Sequence, residues 1–306
     1  MFSQINLVPN PGFEVYDTCP DTGGGGVEIC RAIPWFQPYY PEPINCGGSS
    51  DFYHACAGSV PHNYVGYQWA NNGLGYVAIS PYQFSASTTD LWREYIEVEL
   101  LNPLINNKKY CVSWYSNLPD KPTLIRNACN RIGAFFSIDT LFQTGLQYDY
   151  IPVIPQVENL EIITDTSNWV LFKQIFTAQG GEKFMTVGNF RSGVMTSTIL
   201  INSNNVWTYY YFDDFGVYEL PEIEAGNNDT ICTTAGSVQL TANCMGCWPG
   251  LQYRWWPAAG LNDTTVLNPT SSPTQTTTYY FGLTDTGQYR TLHCRFNRQP
   301  YRICMR

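Results

Sequence analysis

Residues 209–219 read YYYFDDFGVYE, and this stretch sets two adjacent aspartates inside a run of aromatic and β-branched residues. Such a run predicts a core strand, because aromatic and β-branched side chains pack well on a pleated, half-buried surface. Burying an unpaired carboxylate costs several kcal/mol, so we expect Asp213 and Asp214 to be hydrogen-bonded, bound to a cation, or solvent-facing at a strand end. Strict alternation would put Asp213 on one face with Tyr211 and Phe215, and Asp214 on the other, so that only one aspartate could point at an ion.

The composition predicts an all-β protein. The 306 residues include 22 Tyr, 25 Gly and 20 Pro, and 15% of the residues are aromatic while 13% are charged. This mixture favours many short strands joined by turns over helices. A chain of this length has room for one large domain and one small one.

Alternation of apolar and polar residues predicts the strands of the large domain. In residues 93–100, REYIEVEL, the side chains of Ile96, Val98 and Leu100 fall on one face, which is the period of two of a half-buried strand. Similar patterns predict strands at residues 110–115, 131–138, 169–177, 183–187, 198–202 and 208–218. This spacing, without helical periodicity between the strands, indicates a sandwich of antiparallel sheets.

The chain divides by composition into four segments. Residues 1–219 form the large domain, and residues 220–226, LPEIEAG, are typical of a linker. Residues 227–288 are rich in threonine and predict a small sandwich with strands at 237–242, 253–256 and 277–284. Residues 289–306 are an atypical basic tail. The last 22 residues carry +4 while the preceding residues carry −13, which indicates either an interaction tail or an altered end that replaced a final strand; the abrupt end of the strand pattern favours the second.

Charge and cysteine content restrict the partners and the location. A formal charge of −9 and a pI near 4.8 argue against nucleic acid as a partner. No run of about 18 apolar residues predicts a membrane span. Eleven cysteines indicate an oxidising compartment, so we expect secretion. The start, MFSQINLVPNPGFE, lacks the features of a signal peptide, so we expect that one was removed or that the gene model starts late, and the export route stays open.

The cysteines also suggest a disulfide pattern. Six in the large domain allow 15 pairings, of which we consider the local set 19–30, 46–56 and 111–129. In the small domain Cys244 and Cys247 form a C-x-x-C, for which a local hairpin disulfide is favoured over a redox dithiol or half a zinc site, since no second C-x-x-C is present.

Two segments of the large domain resemble the paired signatures of galactose-binding-like jelly rolls, a fold that includes many carbohydrate-binding modules. These are NLVPNPGFE at 6–14 and YFDDF at 211–215. The resemblance implies a jelly-roll β-sandwich in which the opening segment lies beside the last strand and an acidic residue from each, with backbone carbonyls, holds a structural calcium ion. Glu14 with Asp213 or Asp214 would supply the carboxylates, which suit the oxygen preference of Ca²⁺. The alternative is that the aspartates end a strand and face water.

A further resemblance covers roughly residues 6–138 and concerns location. The segments SDFYHAC at 50–56, VPHNYVGYQ at 60–68, GYVAI at 75–79, REYI at 93–96 and IGAFFS at 132–137 resemble an N-terminal domain of secreted cell-surface proteins of Bacteroidota. Those proteins often bear gliding-motility-associated or type IX secretion C-terminal domains. The segments NDTIC at 228–232, YRWWP at 253–257 and TTTYY at 276–280 resemble a PKD-like or Ig-like repeat, in which Trp255 or Trp256 would be the core tryptophan.

Binding is predicted in preference to catalysis. The chain has three histidines and neither G-x-S-x-G nor H-E-x-x-H, and nothing in the sequence marks a pair of catalytic carboxylates. Sugars stack on aromatic rings, and aromatic residues in loops are harder to explain as core. The candidates for ligand binding are therefore Trp35, Tyr39, Tyr40, Tyr53, Tyr64, Trp69 and Trp92.

The sequence thus predicts a non-enzymatic, extracellular cell-surface protein that binds a glycan or cell-surface polysaccharide through a calcium-stabilised jelly roll. The alternative is a structural or assembly subunit, in which the same aromatic residues contact other surface proteins or further copies of the chain.

Overall fold

The chain folds into two compact units. The computed structural model describes residues 4–21, 28–38, 48–83, 92–121, 124–125, 127–143, 150–202, 207–231, 236–247, 251–284 and 299–305. The larger unit is Asn6–Tyr218, and the smaller one comprises Glu219–Arg306 together with Met1–Ile5. Within the described ranges there is no α-helix, so the all-β fold class is confirmed. No helix in these ranges is long and apolar enough to cross a membrane.

The larger unit is a sandwich of two antiparallel sheets. One sheet has the order β1-β4-β13-β6-β10 and the other the order β5-β11-β8-β9, while β12 pairs with β7 and β2 with β3. Three 3-10 helices lie at Ile29–Arg31, Ala55–Ala57 and Gly193–Met195. The strands are β1 (Asp51–His54), β2 (His62–Asn63), β3 (Gly66–Tyr67), β4 (Gly75–Gln83), β5 (Ile96–Glu99), β6 (Lys109–Asn117), β7 (Asn127–Cys129), β8 (Ile132–Ser137), β9 (Val157–Glu158), β10 (Val170–Thr177), β11 (Phe184–Asn189), β12 (Thr198–Leu200) and β13 (Trp207–Glu219).

The predicted strands of this unit are confirmed, and six described strands are additional. β6, β8, β10, β11, β12 and β13 begin and end within two residues of the predicted ranges, and β5 lies inside its predicted range. The alternation pattern did not predict β1, β2, β3, β4, β7 or β9. Every residue of β4 from Gly75 to Tyr82 is buried, so the strand has no polar face and no alternation to detect.

The core lies between the two sheets. Val77 and Phe212 reach it from the five-stranded sheet, and Val98, Phe136 and Met185 reach it from the four-stranded sheet. Each of these residues occupies an inward position of its strand, with neighbours that face the other way, as a period of two requires.

The five-stranded sheet is also buried on its second face. Tyr53, Tyr76 and Tyr211 form an aromatic cluster there, with ring centroids 4.9 to 6.1 Å apart. Val60 and Val65, from the segment between β1 and β4, cover this cluster. The central strands therefore have hydrophobic layers above and below them.

The opening segment lies beside β13, as the resemblance to galactose-binding-like folds implies. The Leu7 N–H donates to the Val217 carbonyl at 2.9 Å, and the Phe215 N–H donates to the Pro11 carbonyl at 2.9 Å. Asn6 adds a second pair of bonds, because its side chain accepts from the Val217 N–H and donates to the Phe215 carbonyl.

The prediction that side chains alternate strictly between the two faces of β13 is wrong at Asp213 and Asp214. Asp214 has a φ of 50°, in the left-handed region, and this local change of direction shifts the following residues to the other face. Phe215 consequently lies in the sandwich core with Phe212, whereas Tyr211 lies on the opposite face. Asp213 is fully buried, which overturns the alternative that both aspartates face water.

The predicted set of local disulfides is wrong for the larger unit. Cys19 pairs with Cys56, with their Cα atoms 6.0 Å apart, so the expected pairs 19–30 and 46–56 are wrong. Cys129 is a free, buried thiol in β7, so the expected pair with Cys111 is wrong too. Distance along the sequence does not predict this pairing, because the chain comes back to its opening segment after β1.

The smaller unit contains eight described strands: β14 (Glu222–Glu224), β15 (Asp229–Ile231), β16 (Val238–Gln239), β17 (Asn243–Met245), β18 (Gln252–Trp256), β19 (Thr270–Ser271), β20 (Thr277–Thr284) and β21 (Gln299–Met305). Its main sheet has the order β15-β21-β20-β18, and β14-β17 and β16-β19 are paired ribbons. Trp255 is fully buried and is the core tryptophan of this unit. The expected disulfide between Cys244 and Cys247 is present.

Two segments of the smaller unit differ from expectation. The predicted linker, residues 220–226, contains β14, because Ile223 is buried in the core of this unit between two exposed glutamates. The basic tail was expected to lack a strand, yet residues 299–305 form β21, which pairs with β20 and with β15.

Trp35 connects the opening segment to β13. Its ring centroid lies 5.0 Å from that of Phe13 and 5.1 Å from that of Phe215, and the indole N–H donates to the Asn10 carbonyl at 3.0 Å. Only 1% of the residue is exposed, so truncation would open a cavity in the core.

Trp35→Ala is expected to lower the free energy of unfolding of the larger unit by about 3–5 kcal/mol, the range for truncating a large buried aromatic side chain. Trp69→Ala is the matched control, because Trp69 is 58% exposed, and we expect it to change that free energy by less than about 0.5 kcal/mol. Urea unfolding followed by fluorescence measures both. Equal stability of Trp35→Ala and the wild type would contradict the placement of this ring in the core.

Candidate functional site: an aromatic cleft with two buried carboxyl groups

A cavity of about 290 Å³ opens on the second face of the five-stranded sheet. It lies at the end of the sheet where β1 and β13 begin. Its lining combines aromatic side chains with two carboxyl groups and consists of Ser49, Asp51, Tyr64, Val65, Trp92, Glu94, Leu124, Trp207 and Tyr209. We refer to this cavity as the cleft.

The sheet places Asp51 and Tyr209 in the floor of the cleft. Asp51 is the first residue of β1, and its neighbour Phe52 points into the sandwich core, so Asp51 faces the other way. The same alternation turns Tyr209 away from the core side occupied by Tyr210. The Tyr209 hydroxyl donates a short hydrogen bond to Oδ2 of Asp51.

Glu94 is held against β4 by hydrogen bonds to both of its carboxyl oxygens. The backbone N–H of Ser80 donates to Oε2 at 2.6 Å, and the indole N–H of Trp92 donates to Oε1 at 3.3 Å. The Glu94 N–H in turn donates to the Ser80 carbonyl at 3.0 Å. These contacts fix the segment before β5 beside β4 and bring a second carboxyl group to the cleft.

Three aromatic rings form the walls. Trp92 and Trp207 meet edge to face, with centroids 5.5 Å apart and an interplanar angle of 81°. Tyr64 lies at the turn between β2 and β3 and is 53% exposed. Lys121 holds this turn, since its ammonium donates to the Tyr64 carbonyl at 2.7 Å and lies 5.0 Å from the Tyr64 ring centroid. The cleft therefore presents apolar ring surface above a polar floor.

Burial disfavours the ionised form of both carboxyl groups. It raises the pKa of Asp51 to about 7, although the hydrogen bond from Tyr209 opposes the change. Burial, together with repulsion from Asp51, raises the pKa of Glu94 to about 8. The two groups influence each other, and near neutral pH the floor of the cleft is only partly ionised.

The sequence-predicted ligand residues separate into four groups. Tyr64 and Trp92 line the cleft. Trp35 and Tyr53 are only 1% and 2% exposed, so the structure places both in the packed interior and not on an accessible surface: the loop that bears Trp35 folds over the core, and Tyr53 lies under Val60 and Val65.

The remaining candidates lie elsewhere. Trp69 forms a separate exposed aromatic surface with Tyr67, whose hydroxyl accepts from the Trp69 indole N–H at 3.0 Å. The Trp169 indole N–H donates to the Trp69 carbonyl at 2.9 Å and so fixes this surface on the sheet. Tyr39 and Tyr40 lie outside the described residues.

The sequence patterns did not predict the polar floor of the cleft or the wall formed by Trp207. Asp51, Glu94, Trp207 and Tyr209 come from three segments that are far apart in the chain. A signal was present in two of them, because Asp51 and Glu94 each begin an otherwise hydrophobic strand pattern, DFYH and EYIEV. Asp213 and Asp214 of β13 are likewise carboxyl groups within a hydrophobic strand pattern.

The predicted calcium ligands surround the turn before β4 without converging. Oδ2 of Asp213 accepts from the Asn71 N–H at 2.8 Å, and Oδ2 of Asp214 accepts from the Asn71 side chain at 2.6 Å. Glu14 binds the far end of the turn, where its Oε1 accepts from the N–H groups of Leu74 and Gly75. In the described part of the chain, no group of three or more His, Cys, Asp or Glu side chains is arranged to hold a metal ion.

Comparisons with known proteins give low similarity. No protein-family model matches the chain, and no curated protein matches it. Among solved structures, the K2 cleaved adhesin domain of Lys-gingipain is 11% identical, with 69% of this chain and 96% of that chain covered and a TM-score of 0.32.

Two further structures are similar at the same level. A CBM4 structure is 13% identical, with coverages of 70% and 99% and a TM-score of 0.30. The K1 cleaved adhesin domain of Lys-gingipain from Porphyromonas gingivalis W83 is 12% identical, with coverages of 55% and 89% and a TM-score of 0.26. The function of this chain must therefore be inferred from its own side chains.

The raised pKa values make stability depend on pH. Asp51 and Glu94 bind their protons more tightly in the folded chain than in the unfolded chain, where the pKa values are 3.8 and 4.5, so their contribution to stability is lost as the pH rises through about 7 and 8. Glu97 acts in the same direction, because burial raises its pKa to about 7.

We expect the melting temperature to fall by several degrees between about pH 5 and about pH 8, and the double variant Asp51→Asn, Glu94→Gln to fall less steeply. Calorimetry at a series of pH values measures this. Glu161→Gln, an exposed charge removal, is the control and should follow the wild type. A wild-type melting temperature that rises with pH over this range would contradict the raised pKa values.

Proposed function

We propose that this chain is a non-enzymatic carbohydrate-binding protein and that the cleft is its binding site. The observation that supports the proposal is the combination of the Trp92 and Trp207 rings with the carboxyl groups of Asp51 and Glu94 in one cavity. Sugar rings expose apolar C–H faces that pack on aromatic rings, and their hydroxyl groups donate hydrogen bonds to carboxyl oxygens.

The size of the cleft favours a short saccharide segment. A volume of about 290 Å³ is at the lower end for small-molecule sites. The aromatic surface of Tyr67 and Trp69 is a separate place where a longer glycan could make contact, since Trp69 is 58% exposed. We assign the primary site to the cleft because ring faces and buried polar groups occur together there.

An extracellular, cell-surface location is part of the proposal. The Cys19–Cys56 and Cys244–Cys247 disulfides suit an oxidising compartment. Adhesion to a glycan or cell-surface polysaccharide is the biological role that fits a protein of this kind.

A second candidate function is assembly through protein contacts. It is favoured by exposed apolar side chains on and beside β12: Val194 is 99% exposed, Met195 51%, Ile199 46% and Leu200 59%. Contiguous exposed apolar side chains mark protein interfaces in other proteins. Other surface proteins or a second copy of this chain would then be the partner.

Glycan binding is tested with the purified, oxidised chain on a broad glycan and polysaccharide array, followed by titration of a hit. Trp207→Ala is expected to weaken binding by about 10- to 30-fold, the effect of removing one aromatic contact of about 1.4–2 kcal/mol. Trp69→Ala, the matched exposed aromatic outside the cleft, is expected to leave the affinity within about twofold.

Two results would contradict the proposal. Loss of binding in Trp69→Ala but not in Trp207→Ala would move the site to the separate aromatic surface. A blank array from folded protein, together with self-association in size-exclusion chromatography, would favour the assembly function instead.

We further propose that a calcium ion stabilises the larger unit at Asp213 and Asp214. The donor chemistry suits a hard cation, since two neighbouring carboxylates lie beside the backbone of Gly12. Burial and repulsion from Asp214 raise the pKa of Asp213, and a bound cation would offset both effects. Glu14 is engaged with Leu74 and Gly75, so it is assigned to the border of the site.

Removal of calcium by a chelator is expected to lower the melting temperature of the wild type by a few degrees, because an ion that binds the folded chain stabilises it by mass action. Asp213→Asn is expected to abolish the response, and Glu14→Gln to retain most of it. Added calcium should restore the wild-type value. Identical melting curves with chelator and with calcium would show that Asp213 is held by its hydrogen bonds and proton alone.

A further inference from the structure

The described lining of the cleft contains two acidic groups and no basic group. Asp51 and Glu94 are 4% and 3% exposed, and none of the nine described side chains that line the cleft is basic. Ionised carboxylates in such surroundings lack the opposite charge that normally accompanies them. A ligand with a positive charge would supply the missing opposite charge, whereas a neutral sugar would not.

Two described basic side chains from these segments, Arg93 and Lys121, have other partners. The guanidinium of Arg93 lies 4.4 Å from the ring centroid of Tyr82, a member of the sandwich core, and donates to the Trp92 carbonyl. Lys121 is bound at the rim, to the backbone of Tyr64. The phenols of Tyr53, Tyr209 and Tyr211 also interact with Asp51, and they bring no positive charge.

The aromatic walls add a second attraction for a cation. Trp92, Trp207 and Tyr64 surround the same space as the two carboxyl groups. Ammonium groups are attracted to the faces of aromatic rings, most strongly to tryptophan, and more so when the site is desolvated. The Ser49 side chain is a further polar group in this wall, and its interaction with Glu94 favours the ionised form of that carboxyl group.

We propose that the cleft selects a saccharide with a protonated amino group, such as a de-N-acetylated hexosamine, whose ammonium binds between Asp51 and Glu94 and the tryptophan rings. The inference rests on the proposed carbohydrate-binding function and specifies its ligand class. An N-acetylated sugar would lack the charge, and a uronic acid would add a third negative group to the cleft.

Binding of an ammonium must then be linked to proton release. Asp51 and Glu94 hold protons near neutral pH, and a cation between them favours their ionised forms, so these protons leave as the amino sugar enters. Affinity for the amino sugar should rise from about pH 5 to about pH 6.5, where its amine is still protonated, whereas affinity for a neutral sugar should not.

The test uses oxidised full-length protein and three matched ligands: short oligosaccharides of glucosamine, of N-acetylglucosamine and of glucose. At about pH 6, where the sugar amine is protonated, we expect the glucosamine oligosaccharide to bind about tenfold more tightly than its N-acetylated counterpart, the effect of one charge-assisted contact. Isothermal titration calorimetry in two buffers of different ionisation enthalpy should show proton release for glucosamine alone.

Variants connect the selectivity to the two carboxyl groups. Asp51→Asn and, independently, Glu94→Gln should reduce the preference for the amine over the N-acetylated sugar to about parity, and Glu161→Gln, outside the cleft, should leave that preference unchanged. Because either buried variant could fail to fold, the proton-release measurement on the wild type provides an independent test.

Each outcome is decisive. Amine-selective binding with proton release, lost in Asp51→Asn or Glu94→Gln, supports the proposal. Equal binding of amino and neutral sugars that is lost in Trp207→Ala overturns the ligand class and keeps the cleft as a carbohydrate site. Absence of binding to every saccharide overturns both the ligand class and the proposed function.

Discussion

The requirement that most shapes this structure is that β13 is covered on both faces. It pairs with β4 and β6 in the centre of the five-stranded sheet, with the sandwich core on one side and the tyrosine cluster on the other. Each polar atom on such a strand needs an internal partner, because water cannot reach it. Tyr210 donates to the Ile163 carbonyl at 2.7 Å, Tyr211 donates to Asn63 at 2.8 Å, and Tyr209 donates to Asp51. The hydroxyl groups of three successive tyrosines thus organise three separate segments around one strand.

The same requirement explains why acidic groups become functional candidates. Asp213 satisfies its oxygens with backbone N–H groups of the turn before β4, whereas Asp51 shares its hydrogen bond with a phenol at the edge of an open cavity. Both carboxyl groups have a raised pKa because burial disfavours charge. The difference is access: a ligand can reach Asp51, while Asp213 is enclosed by the opening segment and suits a small ion.

Sequence patterns predicted the parts of the fold that depend on local alternation and turns. They identified β5, β6, β8 and β10 to β13, while resemblance implied that Trp255 or Trp256 is the core tryptophan and that the opening segment lies beside β13. They could not predict β4, which is buried on both faces, or the disulfide of Cys19 with Cys56, which depends on how distant segments meet.

The cleft could not be predicted for a related reason. Its aromatic and acidic residues come from the start of β1, the segment before β5 and the start of β13, and only the strand order brings them together. The position of Trp35 in a loop suggested an exposed side chain, but this loop folds over the core and contributes core side chains. An acidic residue at the start of a hydrophobic strand pattern was the informative signal, because the folded structure must provide a polar partner for a buried carboxyl group.

The hydrogen bonds of Glu94 support the proposed binding function. Both oxygens of Glu94 already accept hydrogen bonds, from the Ser80 N–H and the Trp92 indole, and these contacts stabilise the ionised carboxylate that burial disfavours. Such a group gains most from a ligand that brings a positive charge and leaves its own bonds intact. An ammonium group meets that condition, because it donates hydrogen bonds, replaces the lost proton and packs against the tryptophan faces without requiring any bond to break.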